Sequence, residues 1–301
     1  MAEQKRKNTT EYVIQTTRDY LDSILIEERL IDSRIPSTEM ELFGETFASP
    51  IMTPAFSHMK NFAPEQKDGM CEYSKAMAQL NLVNWIGMGE NDEFERVAQT
   101  GARTIKIIKP YADRGKIYDQ MAFAESHGAF AVGIDIDHIF GNSGGHDICM
   151  GEEMHTQTSE DIAELVQATR LPFIVKGVLS VSDAVKCAGC GAAGIVVSHH
   201  HGRMPYAIPP LMVLPDIAEA VGQKLKIFVD CSIDTGADAF KALALGADAV
   251  CVGRAMMPEL KARGCQGVVD YVSKMNDELR MLMAFTGFGT LDDINDSVLW
   301  F

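Results

Sequence analysis

The feature that most constrains the fold is a regular alternation of short apolar runs with longer amphipathic segments between residues 49 and 255. Most of the runs are nearly continuous in apolar residues, as expected for parallel strands that are covered on both faces. They predict eight strands, at residues 49–55, 83–89, 103–109, 129–137, 172–178, 194–200, 226–232 and 249–255.

The segments between the runs predict helices. Residues 159–169 begin with Ser-Glu-Asp, which supplies an N-cap and acidic side chains in the first turn. Residues 113–127 and 234–245 continue the alternation, and Gly246 is a helix stop after the second of them. Eight β-then-α units describe a (β/α)₈ TIM barrel of the α/β class.

An open doubly wound sheet is the main alternative architecture. That fold usually has a glycine-rich turn after its first strand, whereas Pro54-Ala55-Phe56 follows the first run here. We therefore predict one barrel domain over residues 36–301, with residues 266–301 forming one or two helices on its outside. Residues 1–35 are predicted to be an N-terminal helical extension that packs at the bottom or the edge of the barrel.

The charge balance excludes several classes of partner. The chain has 27 Lys plus Arg against 42 Asp plus Glu, a formal net charge of −15, so its surface repels nucleic acid and anionic lipid. The sequence has no apolar stretch of the ~20 residues that span a bilayer, and its polar N-terminus lacks the apolar core of a signal peptide. These features predict a cytoplasmic protein without a nucleic-acid or membrane partner.

The cysteines predict neither disulfides nor a metal site. Seven cysteines, an odd number, fit reduced thiols better than a disulfide framework. Cys187 and Cys190 form a C-x-x-C pair, but no second ligand pair accompanies it. The spacing of His146, Cys149 and His155 matches no compact metal motif, so we expect them to be loop residues.

Polar residues collect where the predicted strands end. Catalytic groups of a TIM barrel lie at the C-terminal ends of its strands, so this is where they are expected. The residues at these ends are Asp135, Asp137, Lys176, Ser198, His199, His200, His201, Arg203, Asp230, Gly253 and Arg254.

Three of these signals indicate a site for an anion. Lys176 interrupts an apolar strand, which requires either a salt bridge to a barrel carboxylate such as Asp230 or a bound anionic group. His200 is followed by Arg203, a pairing that suits a base beside a carboxylate clamp. Gly253, after the last strand, lies where barrels commonly bind phosphate through backbone N–H groups.

Four segments resemble one known family. LPFIVKGVLSVSDA, GAAGIVVSHHHGR, FKALALGADAVCVGRA and MNDELRMLMAFTGFGTLDDI are similar in kind and order to motifs of the FMN-dependent 2-hydroxy-acid oxidising family, which includes glycolate oxidase, lactate oxidase and dehydrogenase, and mandelate dehydrogenase. The resemblance covers about residues 25–294 and is strongest over 172–256.

The resemblance implies roles for individual residues. His200 matches the catalytic base, Asp137 the aspartate that hydrogen-bonds it, and Arg203 the arginine that binds the substrate carboxylate. Lys176 matches the lysine at the N1/O2 edge of the flavin. The third-strand Gln and Tyr of the family are replaced within IKIIKPY, where Lys106 or Lys109 is expected to reach the substrate. The remaining FMN-binding residues implied are Thr53, Pro54, Ala55, Ser198, Asp230, Ser232, Gly253 and Arg254.

The sequence also departs from the family pattern. Asp234 stands where an arginine usually neutralises the FMN phosphate, and the loop HIFGNSGGHDICMGEEM contains no counterpart of a second substrate arginine. His199 and His201 replace asparagine and glycine. The hydride-transfer groups are therefore better matched than the substrate-binding groups.

The resemblance implies an FMN-dependent oxidoreductase that converts a 2-hydroxy acid to the 2-oxo acid. Its expected partners are a small anionic organic acid and further copies of itself, in a homo-oligomer that the family implies to be a tetramer. Two alternatives remain open, an FMN-dependent reductase or isomerase of another polar metabolite and a non-catalytic flavin-binding barrel.

Overall fold

Eight parallel strands form one sheet that nearly closes into a barrel in the computed structural model, which describes residues 10–222 and 224–301. Hydrogen-bonded neighbours follow the order β1-β8-β7-β6-β5-β4-β3-β2, in the numbering given next. The strands are β1 (Ile51–Met52), β2 (Asn84–Ile86), β3 (Thr104–Ile108), β4 (Ala131–Asp135), β5 (Phe173–Val178), β6 (Gly194–Val197), β7 (Lys226–Val229) and β8 (Ala249–Cys251). The predicted TIM barrel and its eight strands are confirmed.

Strands β1 and β2 are the two ends of the sheet order, and side chains and loops join them. The Thr53 hydroxyl donates to Asn84 Oδ1 at 3.0 Å and accepts from the Trp85 amide at 2.8 Å. The Gly87 amide donates to the Phe56 carbonyl at 2.6 Å. These contacts keep the C-terminal ends of the first two strands together, which places residues 54–56 beside the barrel mouth.

A helix follows each strand. The helices are α1 (Gly69–Leu80), α2 (Asn91–Ala98), α3 (Arg114–Ser126), α4 (Ser159–Gln167), α5 (Val181–Gly189), α6 (Pro210–Val221), α7 (Gly236–Ala244) and α8 (Met257–Thr286). Thr158 and Thr235 begin α4 and α7 with capping boxes that use Asp161 and Asp238, so the N-cap of α4 is Thr158 and not the predicted Ser159. The C-terminal helix α8 begins earlier than predicted, is kinked at Gly264, and packs on α1 and α7.

The N-terminal helix, Thr10–Ser23, lies beside the C-terminal ends of β6 and β7, so the expectation of a place at the bottom of the barrel was wrong. The Thr17 hydroxyl lies 2.9 Å from His199 Nε2, and Arg18 donates to Asp238 at 2.6 Å and to the Ser232 carbonyl at 3.0 Å. The sequence did not show this because the two partners lie about two hundred positions away in the chain.

A hairpin closes the bottom instead. Met40–Leu42 pairs with Glu45–Phe47, and its alternating pattern buries Met40, Leu42 and Phe47 against the barrel interior. The Phe47 ring lies 5.5 Å from that of Phe130, at the start of β4. Two shorter antiparallel pairs complete the strands, Leu25–Ile26 with Leu299–Trp300 and Ile148–Cys149 with Glu152–Glu153.

Side chains fill the barrel interior. The rings of Trp85 and Phe228 meet edge to face at 5.2 Å, and Ile105 and Ile174 pack in the same cluster. A larger apolar layer lies between the strands and the helices. Within residues 10–222 and 224–301, no helix combines the length and the apolar character needed to cross a membrane.

We expect Gly133→Ala to destabilise the barrel by about 1–3 kcal/mol, the usual effect of forcing extra atoms into a packed core. A Cβ at this position on β4 would overlap the Ile174 carbonyl oxygen and lie 2.9 Å from Ile107 Cδ1. Gly189→Ala, in α5, is the matched control because its Cβ would meet nothing within 4 Å. Urea unfolding midpoints decide the comparison, and equal midpoints for Gly133→Ala and the wild type would contradict the packing described.

Candidate functional site

A cavity of about 220 Å³ opens at the C-terminal ends of the strands. Its wall combines apolar residues after β1 with polar residues after β5 to β8, and the N-terminal helix adds Ile14. The lining residues are Ile14, Pro54, Ala55, Phe56, Lys176, His200, His201, Asp230, Cys231, Ser232, Ile233, Asp234, Cys251, Gly253 and Arg254. Eight of the predicted site residues line this cavity, whereas Thr53, Asp137, Ser198, Arg203 and Lys109 do not.

Residues with left-handed backbone lie on two sides of the cavity. His200 and His201 have φ of 44° and 60° after β6, and Cys231 and Ser232 have 73° and 60° after β7. Non-glycine residues adopt this conformation at a cost, and such residues cluster at functional sites. The Ser198 hydroxyl accepts the His200 amide at 3.0 Å, which helps to hold the histidine turn.

Three predicted catalytic residues meet at the cavity edge. His200 Nδ1 lies 2.6 Å from Asp137 Oδ1 and 3.1 Å from Lys176 Nζ. Lys176 Nζ also lies 3.2 Å from Asp137 Oδ2 and 3.8 Å from Asp230 Oδ2. The sequence left two interpretations of Lys176 open, a salt bridge to a barrel carboxylate and a contact with a bound anion. The structure agrees with the first, and the position of Lys176 in the cavity wall is compatible with the second.

A second ion pair lies beneath this cluster. Lys109 Nζ donates to Asp135 Oδ2 at 2.7 Å, and that oxygen is 3.6 Å from His200 Nδ1 and 4.0 Å from Lys176 Nζ. Both partners are buried, and Lys109 is not part of the cavity wall. Lys109 therefore acts on the site through Asp135 rather than by direct contact.

Burial and the neighbouring charges set the protonation of the cluster. Desolvation and the Lys176 charge lower the pKa of His200 to about 3, so its imidazole is neutral. Burial would raise the pKa of Asp135, but Lys176 and Lys109 hold it well below its usual range. Burial and the Asp135 charge raise the pKa of Asp137 well above its usual range, which makes it the more basic of the two carboxyl groups near His200 Nδ1.

His138 links His200 to the loop after β4, and the sequence had not indicated it. His138 Nε2 lies 3.0 Å from His200 Nε2, and His138 Nδ1 lies 3.2 Å from Asp147 Oδ2. Burial and the Lys109 charge lower the pKa of His138 to about 3. The sequence signal that could have identified His138 is its position directly after Asp137, where the polar residues that follow β4 are found.

Arg203 is held by the same loop. Its NH2 group donates to Asp147 Oδ2 at 2.6 Å and to the Phe140 carbonyl at 2.8 Å. Arg203 does not line the cavity described above. It reaches His200 only through Asp147 and His138, so binding of a carboxylate by Arg203 requires its side chain to leave Asp147.

Arg254 and Gly253, after β8, also border the cavity. Desolvation lowers the pKa of Arg254, and no carboxylate in residues 10–222 or 224–301 lies within ion-pair distance of it. A Cβ on Gly253 would lie 3.2 Å from the Phe56 ring and 3.3 Å from Pro54 Cγ, so glycine leaves room between these groups. An exposed guanidinium at the cavity edge, with no carboxylate partner among the described residues, suits an anionic group.

Two residues expected at the cofactor face other partners. Thr53 bonds Asn84 and the Trp85 amide between β1 and β2, and Ser198 lies 3.6 Å from Cys231 Sγ while accepting the His200 amide. Neither is part of the cavity wall, although both are buried directly behind residues that are.

Comparison with known proteins decides the family. The model of the family described as FMN-dependent dehydrogenase matches residues 4–159 and 142–301. The chain belongs to this family. The predicted family and its FMN cofactor are thereby confirmed, as is the oxidoreductase class.

Individual relatives agree with the family. The chain is 40% identical over 144 residues to a 2-hydroxyacid oxidase of Dictyostelium discoideum, a match that covers 48% of this chain and 37% of that protein. It is 29% identical over 323 residues to glycolate oxidase 1 of Zea mays, covering 94% of this chain and 86% of that one. A crystal structure of mandelate oxidase superposes with a TM-score of 0.86 at 27% identity, covering 97% of this chain and 91% of that one.

The residues of the cavity fit FMN. Pro54, Ala55 and Phe56 offer an apolar wall for a flavin ring, and the Lys176 ammonium borders the same space. Arg254, without a carboxylate partner among the described residues, is placed for a phosphate. Asp234 also lines the cavity, and Arg18 NH1 lies 4.0 Å from its Oδ2, which offsets part of the repulsion between this carboxylate and a phosphate.

Proposed function

We propose that this protein oxidises a small 2-hydroxy acid to the corresponding 2-oxo acid with FMN as the acceptor of electrons. The observation that supports this reaction most strongly is the position of His200, whose Nδ1 contacts Asp137 Oδ1 at 2.6 Å beside a cavity that fits FMN. When bound, FMN accepts two electrons from the substrate carbon.

His200 is the base in this proposal. The tautomer that can accept a substrate proton has its hydrogen on Nδ1, 2.6 Å from Asp137 Oδ1, and a lone pair on Nε2, which a substrate reaches by displacing the His138 ring 3.0 Å away. The imidazolium formed by proton abstraction is stabilised by the charge of Asp135, whose Oδ2 lies 3.6 Å from His200 Nδ1. Neutral His200 is available because burial lowers its pKa.

Arg203 binds the substrate carboxylate. Its guanidinium lies on the same side of the barrel mouth as His200 and can form two parallel hydrogen bonds to a carboxylate. Because Asp147 holds it at 2.6 Å in this structure, an incoming carboxylate competes with Asp147 for the guanidinium. A small anionic organic acid is the substrate class that fits this exchange.

Lys176 and Arg254 hold the two ends of FMN, with Pro54, Ala55, Ser198, Asp230, Ser232 and Gly253 around them. We expect Arg254→Gln to weaken FMN binding about 10- to 150-fold, because a charged hydrogen bond contributes about 1.5–3 kcal/mol and 1.4 kcal/mol is tenfold in affinity. Fluorescence titration of the apoprotein with FMN measures the change. Arg280→Gln is the matched control, because Arg280 is exposed and its guanidinium pairs with Asp277 at 3.4 Å. Equal FMN affinities for the two variants would show that the phosphate binds elsewhere.

The pH dependence of kcat/KM follows from the His200 pKa. Proton abstraction needs neutral His200, and a pKa lowered to about 3 keeps it neutral as the pH falls through the ordinary histidine value of about 6.5. We therefore expect no loss of kcat/KM centred near pH 6.5 when the pH is lowered from 8 to 5. A loss of kcat/KM centred near pH 6.5, without the same loss in kcat, would contradict the assignment of a neutral His200.

The reaction is tested by mixing the flavin-loaded protein, without oxygen, with L-lactate, glycolate and mandelate and recording the visible spectrum. At least one acid is expected to bleach the flavin and yield the 2-oxo acid in equal amount. If none of the three nor longer 2-hydroxy acids bleach it, the proposed reaction is wrong and a different reaction of the same cofactor takes its place. The rate of reoxidation by oxygen then distinguishes an oxidase from a dehydrogenase.

A cytoplasmic location and a homo-oligomer, by family resemblance a tetramer, belong to the same proposal. The acidic composition supports the first. Family membership supports the second.

A further inference from the structure

The loop after β4 brings three metal-ligating atoms of different kinds to one point. His138 Nδ1 lies 3.2 Å from both Asp147 Oδ2 and Cys149 Sγ, and Cys149 Sγ lies 3.7 Å from Asp147 Oδ2. Cys149 is on the Ile148–Cys149 strand of the short hairpin, and His138 follows the end of β4. Neighbouring ligand atoms on a tetrahedral zinc ion with Cys, His and Asp ligands are about 3.3–3.6 Å apart, so these separations fit an ion between them.

Hydrogen bonding alone accounts poorly for this contact. A neutral imidazole has one N–H, and His138 Nε2 faces His200 Nε2 at 3.0 Å. If His200 is the base, as proposed above, its Nε2 has a lone pair, so the hydrogen of His138 belongs on Nε2. His138 Nδ1 then has a lone pair directed at a carboxylate oxygen and a sulfur. Arg203 NH2 donates to that oxygen at 2.6 Å, but no described group other than the thiol offers a hydrogen to His138 Nδ1.

A second cluster of acidic and histidine side chains has no vacant position for a metal ion. Asp135, Asp137 and His200 lie close enough to bind an ion, but Lys176 and Lys109 ammonium groups are already within 3.2 and 2.7 Å of their carboxylates. The cationic position in that cluster is therefore taken by lysine.

We propose that His138 Nδ1, Asp147 Oδ2 and Cys149 Sγ form a zinc site beside the mouth of the barrel, with a fourth position open to water. Cys149 loses its proton on binding, so the thiolate and Asp147 together balance the charge of Zn²⁺. Arg203 bonds the same Oδ2 at 2.6 Å, so the ion shares this oxygen with the guanidinium or displaces it. Displacement leaves Arg203 free for a substrate carboxylate. The tautomer argument, and this last consequence, rest on the proposed function.

The test uses the flavin-loaded full chain, kept reduced, saturated with Zn²⁺ and then dialysed against metal-free buffer. We expect about one zinc per chain by mass spectrometry, and at least a tenfold loss of zinc affinity in Cys149→Ala and in Asp147→Asn. X-ray absorption at the zinc edge should show one sulfur at about 2.3 Å and lighter ligands at about 2.0–2.2 Å. Unchanged flavin content in each variant shows that it has folded.

Two matched controls separate the site from adventitious binding. Cys190→Ser removes a partly exposed thiol elsewhere, and His146→Gln removes a histidine of the same loop that pairs with Glu153 at 3.3 Å. Both should retain zinc. A wild-type chain without zinc, zinc retained by Cys149→Ala, loss in either control, or a zinc spectrum without sulfur would each overturn the site. Zinc content is read without any substrate, so a failure of the hydroxy-acid reaction is seen separately in the flavin spectrum.

Discussion

We expect His200→Asn to lower kcat with a 2-hydroxy acid by about 10²–10⁴-fold, the usual contribution of a positioned general base. Asparagine tolerates the left-handed backbone at this position, where φ is 44°, better than most residues, so the turn after β6 is retained. FMN should stay bound because Lys176 and Arg254 are intact. Stopped-flow flavin reduction at saturating substrate measures the loss.

His127→Asn is the matched control for this variant, since His127 lies exposed at the end of α3 and far from the cavity. It should reduce flavin at the wild-type rate. Flavin reduction by His200→Asn within tenfold of the wild type would show that another group removes the proton. His138, at 3.0 Å from His200, would then be the first residue to examine.

Lys176→Met is expected to destabilise the protein by about 3–5 kcal/mol, the usual result of leaving a buried partner charge uncompensated. The ammonium lies 3.2 Å from Asp137 and 3.8 Å from Asp230, and its side chain is only 7% exposed. Methionine fills a similar volume, so the loss reports charge rather than packing. The denaturant midpoint measures it, and FMN content should fall with it.

Lys186→Met serves as the control for this substitution. Lys186 is on the exposed side of α5 and pairs with Asp183 at 3.0 Å, a surface ion pair worth about 0–1 kcal/mol. If Lys176→Met were as stable as Lys186→Met, the buried carboxylates of Asp135, Asp137 and Asp230 would not need the Lys176 charge. The electrostatic description of the site would then be wrong.

The barrel could be predicted from the sequence because its pattern is local. Each strand is a short apolar run, and each of α4 and α7 begins at a threonine whose capping box can be read from four residues. The polar ends of the strands followed from the barrel itself, since all parallel strands end on one face. The strand ends and the family resemblance together predicted that Asp137, Lys176, His200 and Arg203 meet. The first three lie within 3.2 Å of one another, whereas Arg203 is held by Asp147 instead.

The partners of Arg203 could not be predicted because they depend on the path of an irregular loop. Asp147 lies in a glycine-rich stretch without periodicity, and the hairpin that turns it toward His138 has strands of two residues. The contact of Thr17 with His199 joins positions 182 residues apart and leaves no sequence signal. Such long-range polar contacts are decided by tertiary packing rather than by local pattern.

The measurement that tests the central claim most directly is the flavin content of the purified chain, after incubation with FMN and removal of the excess. We predict a yellow protein with one FMN per chain, released unchanged on denaturation, and reduced binding when Lys176 or Arg254 is replaced. A colourless chain that remains colourless after the incubation would contradict the cofactor assignment for this protein and every catalytic role derived from it.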